Sequence, residues 1–256
     1  MKKIKYKKIL TLAIFFIFVG LYMLIPDGKL RLVFCDVGQG DGAIVVKGNW
    51  QMLIDVGADN GKMIRCLDKY VPFWDKKIEG VVISHWDKDH SEALASVRKY
   101  FQIEKLYEST GSGERKEENT ETKVLIAGDI LRYGKIFFEI IYPIETTTTG
   151  NENSLVLVLN YEGKRMMFTG DVDLNGEGRI MGWWEGHVDG IKISHHGSDT
   201  ASSREWLERI RPGVAVISVG KNSYGHPTDL ILSRLKSLGV RVYRTDIEGD
   251  IVLGWN

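Results

Sequence analysis

The chain has 256 residues, 43% of them hydrophobic and 27% charged, with 34 basic against 34 acidic side chains. These proportions are ordinary for a folded protein and exclude a disordered one. The zero balance hides an asymmetry, because Lys2, Lys3, Lys5, Lys7 and Lys8 crowd the first eight residues. Without them 29 basic residues face 34 acidic ones, about −5, which counts mildly against a basic nucleic-acid grip. It does not exclude one, since bound metal can neutralise carboxylates.

After this basic flank (residues 1–8), residues 9–25 form an uncharged apolar run. Its length suits a short spanning helix, and no small-residue cleavage pattern precedes Pro26. The expectation is a signal anchor at the cell membrane, with lysines inside and a domain over residues 30–256 outside. Cleavage of the segment would make the protein secreted instead. Cys35 and Cys66 are the only cysteines. They are too few for a disulfide framework or a zinc knuckle. Two buried apolar thiols are expected, with a Cys35–Cys66 bridge open if the domain lies outside the cytoplasm.

In chain order, residues 30–34, 43–46 and 52–56 read as buried strands, the first two separated by a Gly-rich turn. A helix is expected over residues 62–70, a strand over 80–84, and a helix over 91–100. Residues 108–122 and 146–149 read as loops. Strands are expected at 123–127 and 136–142, with a hairpin of 155–160 and 164–169. Further strands, at 191–194 and 214–219, precede a helix at 229–238 and final strands near 240–244 and 250–253. Strands in two halves with helices between them fit two sheets packed face to face with helices outside.

The chemistry-bearing residues sit where these strands end. Asp55 closes one strand, and His85, Asp87, Asp89 and His90 fall within six residues after another. Asp171 and the pair His195 and His196 follow two more, and His226 lies in a Gly-His-Pro turn. Imidazole and carboxylate are the ligands expected for Zn²⁺, Mn²⁺ or Fe²⁺. A lone Gly-Asp is an ordinary turn, but five of six histidines in three such motifs favour a metal site.

The segment His85-Trp86-Asp87-Lys88-Asp89-His90 resembles the H-x-[HD]-x-D-H signature of the metallo-β-lactamase superfamily. Asp55 matches that family's first motif, Asp171 its metal-bridging aspartate, and His195 with His196 its last histidine motif. Two departures stand out. Asp87 replaces the usual second histidine, and Asn151-Glu152-Asn153-Ser154 stands where another histidine is usual. Both are similar to the extracytoplasmic domain of ComEC-type DNA-uptake proteins and their stand-alone relatives. That subgroup also shows D-V-G-Q-G-D (residues 36–41 here), N-x-x-S-L-V-L (151–157), T-G-D, H-H-G-S and Y-G-H-P.

The resemblance implies a four-layer αββα sandwich preceded by the membrane segment, and one or two divalent ions. Asp89, His90, Asp171 and His196 are expected at one metal position, and His85, Asp87 and shared Asp171 at the other. Which of His195 and His196 ligates stays open, and the other would donate to substrate. The ions expected are Mn²⁺ or Zn²⁺, with Mn²⁺ gaining on Zn²⁺ relative to typical members because the set is oxygen-rich. Asp89, His195 and His226 are the expected catalytic groups, with Asp36, Gln39, Asp41, Asp55 and Asn153 lining the mouth or backing the ligands. The implied function is a phosphodiesterase, foremost a monomeric nuclease acting on single-stranded DNA. Hydrolysis of phosphorylcholine on wall polymers and a non-catalytic DNA- or envelope-binding module are the alternatives. β-Lactam hydrolysis fits the ligand set least.

Overall fold

The computed structural model describes residues 14–15, 27–109, 120–145 and 153–255. The expected anchor therefore falls outside the described residues, except for residues 14–15, which are helical. Among the described residues no helix is long and apolar enough to cross a membrane. The loops expected at 108–122 and 146–149 likewise fall largely outside them.

The first half runs β1 (Leu30–Phe34), β2 (Gly42–Lys47), β3 (Trp50–Val56), α1 (Lys62–Tyr70), β4 (Lys77–Ile78), β5 (Gly80–Ile83), α2 (Lys88–Ser91), α3 (Leu94–Tyr100), β6 (Gln102–Ile103), β7 (Lys105–Glu108) and β8 (Glu121–Val124). The second runs β9 (Ile130–Tyr133), β10 (Ile136–Tyr142), β11 (Val156–Tyr161), β12 (Lys164–Phe168), α4 (Leu174–Met181), β13 (Gly190–Lys192), a 3₁₀ turn (Ser194–Gly197), α5 (Arg204–Ile210), β14 (Val214–Ile217), α6 (Asp229–Ser237), β15 (Arg241–Arg244), α7 (Thr245–Glu248) and β16 (Ile251–Trp255). One sheet has the order β16-β1-β2-β3-β5-β7-β8, the other β15-β14-β13-β12-β11-β10-β9. The last strand thus returns to the first sheet, where Phe34 pairs with Ile251.

Strand alternation builds the layers. Leu30, Leu32 and Phe34 of β1 face Phe138, Leu157 and Phe168 between the sheets. Val33 points the other way, into a core that Leu67 and Val97 complete from the helices. Val156 and Val158 on the second sheet likewise meet Trp206, Ile231 and Leu235. Three apolar layers thus separate four structural ones, the expected mixed α/β sandwich.

The expected helix over residues 91–100 is broken. The Asp87 carbonyl accepts from both His90 and Ser91, and the Ala93 amide donates to Gly57 O before α3 begins. Strand β8 starts at Glu121, where a loop is expected up to 122, and ends at Val124 rather than 127. The 191–194 strand stops at Lys192, because the chain then turns into the 3₁₀ segment.

The expectation of two free thiols is corrected. Cys35 and Cys66 form a disulfide, with Cα atoms 5.9 Å apart and a sequence separation of 31. It ties the end of β1 to α1. Serine at both positions is expected to cost roughly 3–4 kcal/mol, from the loop-closure entropy returned to the unfolded chain. Urea unfolding of the full chain with and without reductant measures this, and coincident curves would refute it.

Candidate metal centre

Strands β3, β5 and β7 run parallel to one another, as do β12, β13 and β14. Their carboxyl ends lie along one edge of each sheet, and the two edges face each other across the sandwich. Asp55 ends β3, Ser84 and His85 follow β5, and Asp171 follows β12. His195 and His196 follow β13. Residues far apart in sequence therefore converge on one cleft.

His85, His90 and His196 are all buried, and each has its Nδ1 engaged from behind. The Asp55 Oδ2 lies 2.9 Å from His90 Nδ1. The Ser218 carbonyl lies 2.9 Å from His196 Nδ1. Ser84 Oγ and Ser154 Oγ lie 3.1 and 3.3 Å from His85 Nδ1. A partner at Nδ1 orients the ring and leaves Nε2 to point into the site. Among the described residues, the Nε2 atoms of all three histidines, with Oδ1 of Asp171, are buried and lack a hydrogen-bond partner. Four buried polar atoms brought together with ion-pair approaches of 3.3–3.6 Å but no hydrogen bond are costly in a protein interior. A divalent cation satisfies them, so these residues fit the metal that the donor chemistry implies.

Among the described residues, four groupings lie close enough to share an ion: His85 with His90 and Asp171; Asp89 with His90 and His196; Asp41 with Asp55 and His90; and Asp41 with Asp171 and His196. Asp171 Oδ1 is 3.3 Å from His90 Nε2, and its Oδ2 is 3.6 Å from His196 Nε2. Asp89 Oδ2 is 3.3 Å from His196 Nε2. His196, not His195, is therefore the histidine turned inward. His195 is 34% exposed, 3.9 Å from Asp171 Oδ2 and 3.4 Å from the Thr200 hydroxyl. Asp87 is 58% exposed and, among the described residues, its ion-pair partner is His85, at 3.6 Å.

The backbone bends to achieve this. Asp55, His195 and His196 have φ of 55°, 50° and 52°, the left-handed region that side chains other than glycine seldom occupy. Such strain gathers at functional sites. Gly40 permits a close approach, because a Cβ there would lie 2.2 Å from Asp89 O. The Asp41 amide donates to that same carbonyl.

The remaining expected residues divide. Asp55 accepts from the Ser84 amide and hydroxyl, both at 2.7 Å, and so braces His90. Asn153 is buried next to Ser154, whose hydroxyl accepts from the Asp171 amide. Gln39 Oε1 accepts from the Gly220 amide. Asp36 instead faces Lys62, 2.8 Å away, and the Gly38 amide. It lies apart from the four groupings. His226 sits beside His195, ring centroids 5.7 Å apart, with Nδ1 buried and unpartnered.

Sequence reasoning missed Lys192. It is a buried lysine whose Nζ contacts Asp41 Oδ2 and donates to Gly170 O. The available signal was a lone cation inside the apolar run Gly-Ile-Lys-Ile. Ser84 and Ser154 were missed as well, because serine beside a strand end carries no ligand signature.

Charge in the cluster is strongly coupled. Burial pushes the Asp41 carboxyl up, but Lys192, His196 and His90 overcome it and hold it at about 2. Burial pushes His196 down, while Asp171 and Asp41 raise it to about 9. His90 is raised well above its usual value by Asp171, Asp55 and Asp41, which outweigh burial. Without metal these imidazoles are therefore protonated at neutral pH, and a ligating imidazole is not. Metal uptake at pH 7 is expected to release protons and to tighten as pH rises toward 9. Calorimetry in buffers of different ionisation enthalpy checks this, and buffer-independent heats would contradict it. For the metal-free fold the expected trend is the converse. The stability from His196 is complete below its ordinary value of 6.5 and is lost as pH climbs through about 9.

Related proteins share this architecture. YhfI from Bacillus subtilis, a metallo-beta-lactamase fold protein, superposes with a TM-score of 0.64 at 13% identity, over 88% of this chain and 100% of that one. Igni18, a metallo hydrolase from Ignicoccus hospitalis, gives 0.61 at 12%, over 89% and 100%. CmlA from Streptomyces venezuelae, a diiron β-hydroxylase, gives 0.58 at 13%, over 90% and 55%. The fold thus hosts more than one chemistry. In sequence, the chain is 27% identical to competence protein ComA of Neisseria gonorrhoeae over 90% of its length, and to ComE operon protein 3 of Bacillus subtilis over 88%. It spans about a third of either relative (33% of each). Residues 36–221 match the family described as the metallo-beta-lactamase superfamily, which takes in the whole histidine–aspartate cluster, and the chain belongs to that superfamily of metal-dependent hydrolases.

Proposed function

We propose that this protein is a phosphodiesterase that uses one or two divalent ions, foremost Mn²⁺, to cleave DNA outside the cytoplasm. The observation that carries the reading is the set of unmatched Nε2 atoms of His85, His90 and His196 with Oδ1 of Asp171. A divalent ion held there would supply Lewis acidity, which would make water nucleophilic near neutral pH and stabilise charge on a phosphoryl oxygen. His90, His196, Asp89 and Asp171 would hold one ion, and His85 with Asp171, joined by Asp87, the other.

The chain's own groups supply the rest. His196 and His90 hold Asp89 below the usual carboxylate range against the effect of burial. Asp89 is thus an anion at neutral pH, and the carboxylate oxygen that does not hold the ion would accept a proton from water. His195 and His226 stand at the open side, within reach of a leaving oxygen or a phosphate. Burial and the neighbouring His195 keep His226 below its ordinary value, so it is neutral at pH 7 and can share a proton with substrate.

Nucleic acid is the favoured substrate because the sequence relatives carry competence names. The disulfide and the basic-flanked apolar segment at residues 9–25 support an extracytoplasmic, membrane-attached setting. The acidic balance of the domain favours a second substrate, a smaller phosphodiester such as phosphorylcholine on wall polymers. A Mn²⁺-dependent cleavage assay on single-stranded DNA tests the first reading. Wild type should cut, and Asp89→Ala should lose at least 100-fold, roughly the share of a general base. Absence of metal-dependent cleavage of any nucleic acid would overturn it. If metal is retained but no phosphodiester is cleaved, the protein is a binding module.

A further inference from the structure

One exposed aromatic ring stands directly beside the cleft. Tyr224 is 73% exposed, and its ring lies 5.8 Å from that of His226, tilted by 32°. The His226 ring is in turn 5.7 Å from that of His195, and His195 lies 6.3 Å from inward-facing His196. The rings form a series from the buried centre to solvent, and Tyr224 is its outer member.

The loop that carries Tyr224 is clamped. The Asn222 side chain accepts from the Tyr224 and His226 amides, each at 3.0 Å, and donates to the Gly220 and His226 carbonyls at 2.9 and 2.8 Å. The loop's base is seated on the opposite half of the sandwich. A Cβ on Gly220 would fall 2.4 Å from the Gly38 backbone, and the Gly220 amide donates to Gln39. An aromatic ring held by a fixed backbone yet left open to water has already met much of the ordering cost of stacking.

We propose that Tyr224 is a specificity-determining residue that stacks on a nucleobase flanking the scissile phosphate. The inference rests on the nuclease reading and deepens it. His226 lies beside the tyrosine ring, tilted by 32°, and the largely exposed ring is open to a base. A phosphate attached to that base then lies on the His226 and His195 side, toward the metal cluster. Stacking reads the flat face that every base shares, so it is tolerant of sequence. It separates nucleic acid from phosphodiesters that lack an aromatic ring, such as phosphorylcholine esters.

The test compares two oligonucleotides of equal length, one of normal single-stranded DNA and one abasic, which keeps every phosphate and lacks the rings. Binding is measured with the full chain in chelator, where cleavage cannot intervene, and kcat and KM are measured with Mn²⁺. Wild type should prefer the normal oligonucleotide, and Tyr224→Ala should cut that preference roughly 5- to 100-fold, in Kd and KM more than in kcat. Tyr224→Trp should restore it. An equal loss on both oligonucleotides, or no loss on either, would overturn the role of Tyr224. Failure of wild type to cut either oligonucleotide would sink the nuclease reading instead, while the binding comparison would still decide the stacking role.

Discussion

Asp171→Ala is expected to abolish stoichiometric metal retention, with affinity falling by more than the 10- to 100-fold typical of losing a residue that only backs a ligand. Asp171 belongs to two of the four groupings able to share an ion, and it faces His90, His195 and His196 from one strand end. Its carboxylate is held well below its ordinary value, because His90 and His196 outweigh burial. In the metal-free variant those imidazoles lose a counter-charge and can release their protons, so the fold is expected to survive. That separates a ligand role from a structural one. Saturating Mn²⁺ at about 100 times Kd should stabilise wild type by about 2.7 kcal/mol. The same addition should leave Asp171→Ala nearly unmoved. Thermal unfolding with and without metal reads both, and an equal shift in the two proteins would refute the assignment.

Lys192→Met carries the second large effect, this time on stability. Lys192 and Asp41 are each nearly fully buried, and the ammonium is the leading influence that offsets burial of the carboxylate. Methionine keeps most of the volume but takes from Asp41 its leading counter-charge, leaving only His196 and His90 to offset burial. Breaking a buried pair from one side costs about 3–5 kcal/mol. Asp41 is depressed to about 2 in the native state, so the stability it contributes is present above its ordinary value of 3.8 and is lost as pH falls toward 2. Without Lys192 that carboxyl should be protonated more readily, and the cost of the substitution should shrink in acid. The double variant Asp41→Asn/Lys192→Met should recover most of the loss, because the carboxylate that loses Lys192 is then neutral while His90 and His196 keep Asp171 as counter-charge. A single variant as destabilised as the double at every pH would show that packing, not charge, sets the cost.

What the sequence made legible follows from where information is local. His85, Asp89, His90 and Asp171 were readable because each follows an apolar run, and the sheets bring such ends together. Helix α1 was readable residue for residue at 62–70, its apolar positions Met63, Cys66 and Leu67 falling on one buried face. The choice between His195 and His196 was not legible. Both precede Gly197, and their left-handed backbone decides which ring turns inward. Lys192 and Asp41 meet only because the Gly40 turn of the first half is pressed against Asp89 and β13 of the second half ends below it. The Cys35–Cys66 pairing is likewise a tertiary fact, set by the packing of α1 over the end of β1. Asp87 shows the limit most clearly. Its motif position suggests a ligand, and its largely exposed side chain approaches His85 among the described residues, at 3.6 Å, so a role on the metal depends on an ion drawing it in.

The most direct test is a crystal structure of the full chain grown with Mn²⁺, with anomalous scattering used to locate the ion. One or two peaks are expected in the cleft, at about 2.0–2.2 Å from Nε2 of His90 and His196 and from Asp171, as for imidazole and carboxylate ligation generally. No peak there at saturating Mn²⁺, or a peak held only by surface carboxylates, would contradict the metal centre on which the functional reading stands.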